Sequence, residues 1–347
     1  MSTPHGGLTQ DDAAAQGESA MQPVLVTGAR GFVGSHLTRW LRSRGVRVRC
    51  GSRNVARAQA WQPTWSWVQL DTADEGSLDA ALRGCRGAYF LVHQLDTGRG
   101  YPAREQQGAR AFAAAAARAG VARIVYLGGV APCGPRSTHL QSRLDTGAEL
   151  RAGAVPTVEL RAAMIIGAGS ASWQMVQDLV TRLPAMLLPR WCRHHSWPVA
   201  LDDVLWALDF AMHAPRVARH ACYDLTGGER VSYTAILRTL SAQQGRHPWM
   251  IPVPWLTPRL SSYWLRLVTR TNLELAKELV QGLGCDLEPS ERIFWSESSG
   301  YKPMRLQAAI VRALTQQDDP HAAAQHWQMQ QAEWPLPGPD PNTAMKG

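Results

Sequence analysis

The chain has 347 residues, 45% of them hydrophobic, and a formal charge of +8 at neutral pH. That length supplies one large α/β domain or two modest ones with ample core, and no apolar run approaches the ~18 residues that span a bilayer. The positive charge suits an anionic ligand or surface. No helix-turn-helix, zinc finger or RNP-type aromatic motif accompanies it, so nucleic acid is not an expected partner.

Residues 1–21 are polar and lack a basic stretch followed by an apolar one, so they read as a flexible tail and not as a secretory signal. Met21, directly before the first strand, is an alternative start. The six cysteines, Cys50, Cys85, Cys133, Cys192, Cys222 and Cys285, form no C-x-x-C pair. Scattered thiols of this kind favour a reduced, cytoplasmic protein over a disulfide frame or a zinc site.

Val24 to Val26 reads as a buried parallel strand. It is followed by Gly28-Ala29-Arg30-Gly31-Phe32-Val33-Gly34 and then a helical pattern. The glycines have separate physical roles. Gly28 permits the turn off the strand, Gly31 lets backbone N–H groups approach a pyrophosphate, and Gly34 lets the helix pack close to the strand. Strand, turn and helix in this order predict a dinucleotide site. The helix ends at Gly45, and a second strand over 46–50 leads to Ser52 and Arg53. Folds that bind NAD carry an acid at this strand end for the ribose 2′-hydroxyl. Arg53 would instead receive a 2′-phosphate, which predicts NADP(H) over NAD(H).

A third strand over 65–70 ends at Asp71-Thr72, and a helix capped by Ser77 follows. Asp71 is read either as an acceptor for the adenine amino group or as a turn cap. A fourth strand over 88–92 ends at Val92 and His93. An alanine-rich helix over 103–119 leads to a fifth strand over 123–127 and to Gly128-Gly129. A helix over 139–150 and a sixth strand over 157–161 complete the alternation. This rhythm predicts an α/β fold with a doubly wound parallel sheet of Rossmann type and ligands across the carboxyl ends of its strands. Beyond Gly167 the rhythm loosens. A helix over 173–183, a loop or lid over 184–197 and Asp202-Asp203 capping a helix over 204–212 predict a small substrate-side part. The expected division is 22–167 for the nucleotide domain, 168–315 for the substrate side and a proline-rich tail over 316–347.

Val-Thr-Gly-Ala-x-Gly-x-Val-Gly, the arginine closing strand two, Asp71 and the later Leu-x-Gly-Gly resemble atypical short-chain dehydrogenase/reductases of the NmrA-like, NAD(P)H-binding kind. The likeness continues through Tyr89 to His93, Arg123 to Gly129, His139 to Arg143, and Leu160 to Ser172. It reaches Pro189-Arg190-Trp191 and Leu256 to Trp264, resembling a bacterial subfamily of such oxidoreductases. The same broad group includes an accessory subunit of respiratory complex I. The resemblance implies a cofactor site built from Gly28 to Gly34, Arg53, Asp71, Thr72, Val92, His93, Gly128 and Arg143. It also implies a substrate wall from Ala163, Met164, Trp173, Arg190 and Trp191.

Ordinary members of that superfamily reduce a carbonyl with Ser, Tyr and Lys. Here the serine position is Gly128 or Gly129, and the Tyr-x-x-x-Lys spacing holds His139-x-x-x-Arg143. Arg143 keeps a cation for the ribose but cannot act as an acid. His139 has an ordinary pKa near 6.5 and can donate a proton. Two readings lead: hydride transfer to a quinone or carbonyl substrate, or a non-catalytic NADP(H) sensor or accessory subunit; an epimerase or dehydratase comes third, since it needs the same missing tyrosine. Cys192, His194 and His195 match no standard metal spacing, so no metal is expected. In 258–270, Leu260, Trp264 and Leu267 share one helical face while Arg259, Arg266 and Arg270 share another. That segment is read as a core-packing helix or as a peripheral membrane contact. A homo-oligomer is the remaining partner expectation.

Overall fold

The computed structural model describes residues 22–92, 100–131, 134, 136–214, 218–253, 284–297 and 300–318. Its first half alternates β1 (Val24–Val26), α1 (Phe32–Ser43), β2 (Val48–Ser52), α2 (Val55–Trp61), β3 (Ser66–Gln69) and α3 (Glu75–Leu82). Next come β4 (Gly87–Phe90), α4 (Tyr101–Arg118), β5 (Arg123–Gly129), α5 (Thr138–Ala152) and β6 (Thr157–Ala162). The second half begins with β7 (Ile165–Ile166), α6 (Ala171–Arg182), β8 (Ala185–Pro189), β9 (His195–Ser196), β10 (Val199–Ala200) and α7 (Leu201–His213). It continues through β11 (His220–Leu225), β12 (Val231–Ser232), α8 (Tyr233–Gln243), β13 (Trp249–Val253), β14 (Arg292–Ile293) and α9 (Leu306–Asp318).

The main sheet has eight strands in the order β14-β11-β6-β5-β4-β1-β2-β3. Every pairing in it is parallel. The expected doubly wound Rossmann sheet is therefore present, with two strands added beyond β6. Period-2 alternation explains why both faces are covered. Val24 and Val26 join Trp40, Leu41 and the α7 side chains in one core. Leu25 points the other way, into a core with Leu78, Phe112 and Leu150. In β5, Val125 and Leu127 serve the first face while Ile124 and Tyr126 serve the second. Strand order reverses between β1 and β4, and such a switch point opens a crevice at the carboxyl ends of the strands.

A third core lies in the second half, where Trp173, Val180, Met186, Ile236, Leu240 and Ile310 bring α6, β8, α8 and α9 together. Several sequence expectations change here. The predicted loop over 184–197 is ordered structure: β8 pairs with β13, a 3-10 turn spans Arg190–Arg193, and β9 pairs with β12. The cap of α3 is Asp74, which accepts from Gly76 N and Ser77 N, so Ser77 lies inside the first turn. Asp202 and Asp203 do not cap α7; Ala200 occupies that position, and both carboxylates are buried in the first turn.

Those two aspartates clamp the carboxyl-terminal helix. Asp202 accepts from Arg312 Nε at 2.6 Å and from Gln316 Nε2 at 2.7 Å. Asp203 accepts from the Tyr301 hydroxyl at 2.6 Å and from Met304 N at 2.9 Å. Residues 316–318, assigned to the tail from sequence, form the end of α9. Segment 258–270, His93, the tail over 1–21 and the remainder of the proline-rich tail lie outside the described residues. Among the described residues, no helix is long and apolar enough to cross a membrane.

Candidate functional site

One cleft of about 680 Å³ runs across the carboxyl ends of the strands. Its floor is the turn from β1 to α1. Gly28 has φ +61°, where an L side chain is strained, and a Cβ there would lie 2.6 Å from Leu91 O. A Cβ at Gly34 would lie 2.2 Å from Gly28 O, so the helix packs directly on the turn. Gly28 O also accepts the Gly31 N–H at 2.8 Å. The next amides of α1 have no intrahelical acceptor and lie at the positive end of the helix dipole, a geometry suited to an anion. Thr27 ties this turn to β4, its Oγ1 accepting from Leu91 N at 2.8 Å. Across the cleft, His36 Nε2 reaches Ala168 O at 3.2 Å and fixes α1 against the segment that starts α6.

At the end of β2 the cleft is lined by Ser52, Arg53, Asn54 and Arg57, with Arg30 from the glycine turn. Asn54 caps α2 through Oδ1, which accepts from Arg57 N at 2.9 Å. Ser52 Oγ donates to Asn54 O at 3.0 Å, so this corner is held by its own side chains. Arg57 is absent from the sequence expectation. Its signal was available: an Asn cap after Arg53 starts a helix, and the first turn of that helix carries the second arginine.

Gly28, Arg30, Gly31, Phe32, Val33, Gly34, Arg53, Thr72, Val92, His139, Arg143 and Ala163 all line this cleft. Other expected site residues lie elsewhere. Ala29 is fully buried beneath the turn. Asp71 turns back on its own loop, where Oδ1 accepts from Ala73 N at 3.0 Å. Trp173 is 0% exposed in the third core, so it is packing and not a wall of the cleft. Met164 and the half-buried Trp191 pack against that same core, and Arg190 is exposed outside the cleft. The cleft wall on that side comes instead from Ile165 and from Ser170, Ala171 and Ser172 at the start of α6.

The end of β5 explains the glycines at the serine position. A Cβ at Gly128 would meet Glu159 Oε1 at 2.8 Å, and one at Gly129 would meet Leu140 Cδ1 at 2.9 Å. Glu159 is itself buried, bound by Arg161 Nε at 2.8 Å, so Gly128 lies under the sheet end and outside the cleft. Arg143 donates from Nη2 to Leu127 O at 3.0 Å, and the buried Tyr126 hydroxyl donates to Arg143 O at 2.9 Å. That tyrosine is thereby committed, and burial pushes its pKa up to about 12. Burial, with Arg143 beside it, pushes His139 down to about 4. At neutral pH its imidazole is neutral.

Fold and cleft together define a chain of Rossmann type. Residues 28–154 match a family described as NAD(P)H-binding. A ceramide reductase of Caulobacter vibrioides is 30% identical over 171 residues, covering 47% of this chain and 52% of that protein. The fatty acid hydroxylase uhd1 of Mycosarcoma maydis is 38% identical over 96 residues, 26% of this chain and 30% of that protein. A dihydroflavonol 4-reductase of Zea mays is 37% identical over 89 residues, 23% of this chain and 25% of its own. The chain thus spans between a quarter and about half of these curated relatives.

Solved structures share the fold at low identity. The NADPH-dependent quinone oxidoreductase QOR2 from Escherichia coli, complexed with NADPH, has a TM-score of 0.64 at 19% identity, covering 83% of this chain and 98% of its own. The Citrobacter sp. triphenylmethane reductase complexed with NADP(H) has a TM-score of 0.66 at 15% identity, covering 84% and 99%.

Proposed function

We propose that the chain binds NADP(H) in preference to NAD(H) and passes hydride to a quinone or carbonyl compound, as an atypical, NmrA-like short-chain reductase. Residues 22–167 would form its nucleotide domain and 168–315 its substrate side, in a cytoplasmic protein. One observation carries the reading: among the described residues, four arginines and no carboxylate line the cleft. Arg53 and Arg57 follow the end of β2, the place that discriminates a 2′-phosphate from a 2′-hydroxyl, and Arg30 from the glycine turn lines the same cleft. The glycine turn and the first amides of α1 would hold the pyrophosphate, and Arg143 the nicotinamide ribose. When bound, the reduced nicotinamide supplies the hydride. The chain's own part is to orient it against a wall of Ala163, Ile165 and Ser172.

A second reading, a non-catalytic NADP(H) sensor or accessory subunit, is favoured by the chemistry at the end of β5. Gly128 and Gly129 offer no hydroxyl, Tyr126 donates to a backbone carbonyl, and His139 is neutral. A quinone is the acceptor most compatible with such a site, because its reduced anion takes a proton from water. The matching reductases in the comparison above support the carbonyl or quinone class.

Calorimetric titration with NADPH and NADH separates these ideas. Loss of one charge-assisted contact, at about 1.5–3 kcal/mol, weakens NADPH binding roughly 10- to 100-fold in Arg53→Ala or Arg57→Ala, with NADH affinity unchanged. Equal affinity of the wild type for the two nucleotides would remove the NADP(H) preference. Binding without turnover on a quinone and aldehyde panel would move the assignment to the sensor.

A further inference from the structure

The β8–β13 pair presents an apolar outer face. In β8, Met186 and Leu188 point into the third core, while Ala185 and Leu187 point outward. A sheet with one solvated face normally alternates apolar inside with polar outside. Here the outward positions are apolar too. The register sets Trp249 beside Ala185 and Ile251 beside Leu187, which makes these four residues one contiguous patch. Trp249 is 77% exposed, Ile251 44% and Leu187 40%. Among the described residues, these are three of the six exposed large hydrophobics.

Arginines flank the patch. Residues 179–201 and 231–253 carry five arginines and no aspartate or glutamate of their own; Arg182 is paired with Asp178 at 3.6 Å, and Asp286 and Glu288 reach His194, His195 and Trp197. Arg246, exposed three residues before Trp249, is anchored by Nη1 donating to Thr181 O at 2.8 Å. Arg190, also exposed, directly follows β8 at its other end. A tryptophan and branched aliphatics between arginines match the two requirements of an interfacial lipid contact. The apolar side chains enter the acyl boundary, and the guanidinium groups stay at the level of anionic headgroups.

We propose that this face of β8 and β13 docks on an anionic lipid surface. The inference stands on the patch alone and does not depend on the nucleotide reading. The test is flotation of the full chain with vesicles of phosphatidylcholine, with and without phosphatidylglycerol, at low and high salt. The wild type floats with the anionic vesicles at low salt and is released by salt. Trp249→Ser/Ile251→Ser weakens binding on the order of tenfold, and Arg246→Glu weakens it by roughly fivefold or more; circular dichroism of both variants stays that of the wild type. No flotation of the wild type overturns the proposal. Flotation unchanged in the double variant overturns it as well, because another surface then carries the binding. Two further results assign the patch to protein. A wild-type dimer that the double variant converts to monomer shows a second copy covering it, and a steep loss of melting temperature in that variant shows the chain's own covering.

Discussion

Gly34→Ala is expected to abolish nucleotide binding and to lower stability by about 1–3 kcal/mol, the usual range for overpacking. The added methyl would lie 2.2 Å from Gly28 O, 2.8 Å from Gly28 C and 3.0 Å from Ala29 Cα. All three are backbone atoms, so no rotamer change relieves the clash. Helix α1 must back away from the end of β1, and the Gly31 N–H to Gly28 O bond that shapes the turn goes with it. Gly45→Ala is the control. Gly45 has φ +77° but nothing within 4 Å of its absent Cβ. It therefore costs only the left-handed backbone term of about 1 kcal/mol, and NADPH titration should match the wild type. Wild-type affinity in Gly34→Ala would refute the phosphate site proposed on this close-packed turn.

That contrast shows which parts of this protein were legible in its sequence. Gly28 and Gly34 were, because a positive φ and a backbone contact admit one residue type, and the requirement is met within seven residues. The parallel sheet was also legible, since strands buried on both faces read as short continuous apolar runs. Features set by distant partners were not. The lack of a hydroxyl at Gly128 is enforced by Glu159, a strand away. Residues 184–197 read as a loop or lid, because a short strand whose partner is distant carries no local signal. Yet Pro184 O accepts from Trp249 N, and β8 finds its partner strand about sixty residues later. Trp173 failed for a related reason. Its segment was placed correctly, but sequence alone does not say which face of α6 meets the cleft, and Trp173 lies on the core side. Arg57 was missed because α2 itself was missed.

The adjacent aspartates of α7 show how far a residue's meaning depends on its partners. Asp202→Ala removes an acceptor from Gln316 and from Arg312, whose side chain is only 12% exposed. Breaking one side of a buried ion pair costs about 3–5 kcal/mol, read as a fall in melting temperature of about 10 °C. Asp203 behaves differently, since its partners are a phenol and a backbone amide and carry no charge. Full burial raises its pKa from 3.8 to about 7, with the neighbouring Asp202 adding to the rise. Between pH about 4 and about 7 the folded state therefore holds a proton that the unfolded chain has released. The sign follows: this group's contribution is fully present below its unfolded pKa and is lost as pH rises through about 7. Asp203→Asn keeps a neutral amide in place, so urea midpoints of the variant should lack that fall and exceed the wild type's most clearly at pH 8. A wild type whose stability relative to Asp203→Asn is the same at pH 5 and pH 8 would show that Asp203 is already ionised in the fold. Arg312 would then be neutralising both carboxylates, and the two aspartates would act as one anionic clamp on α9.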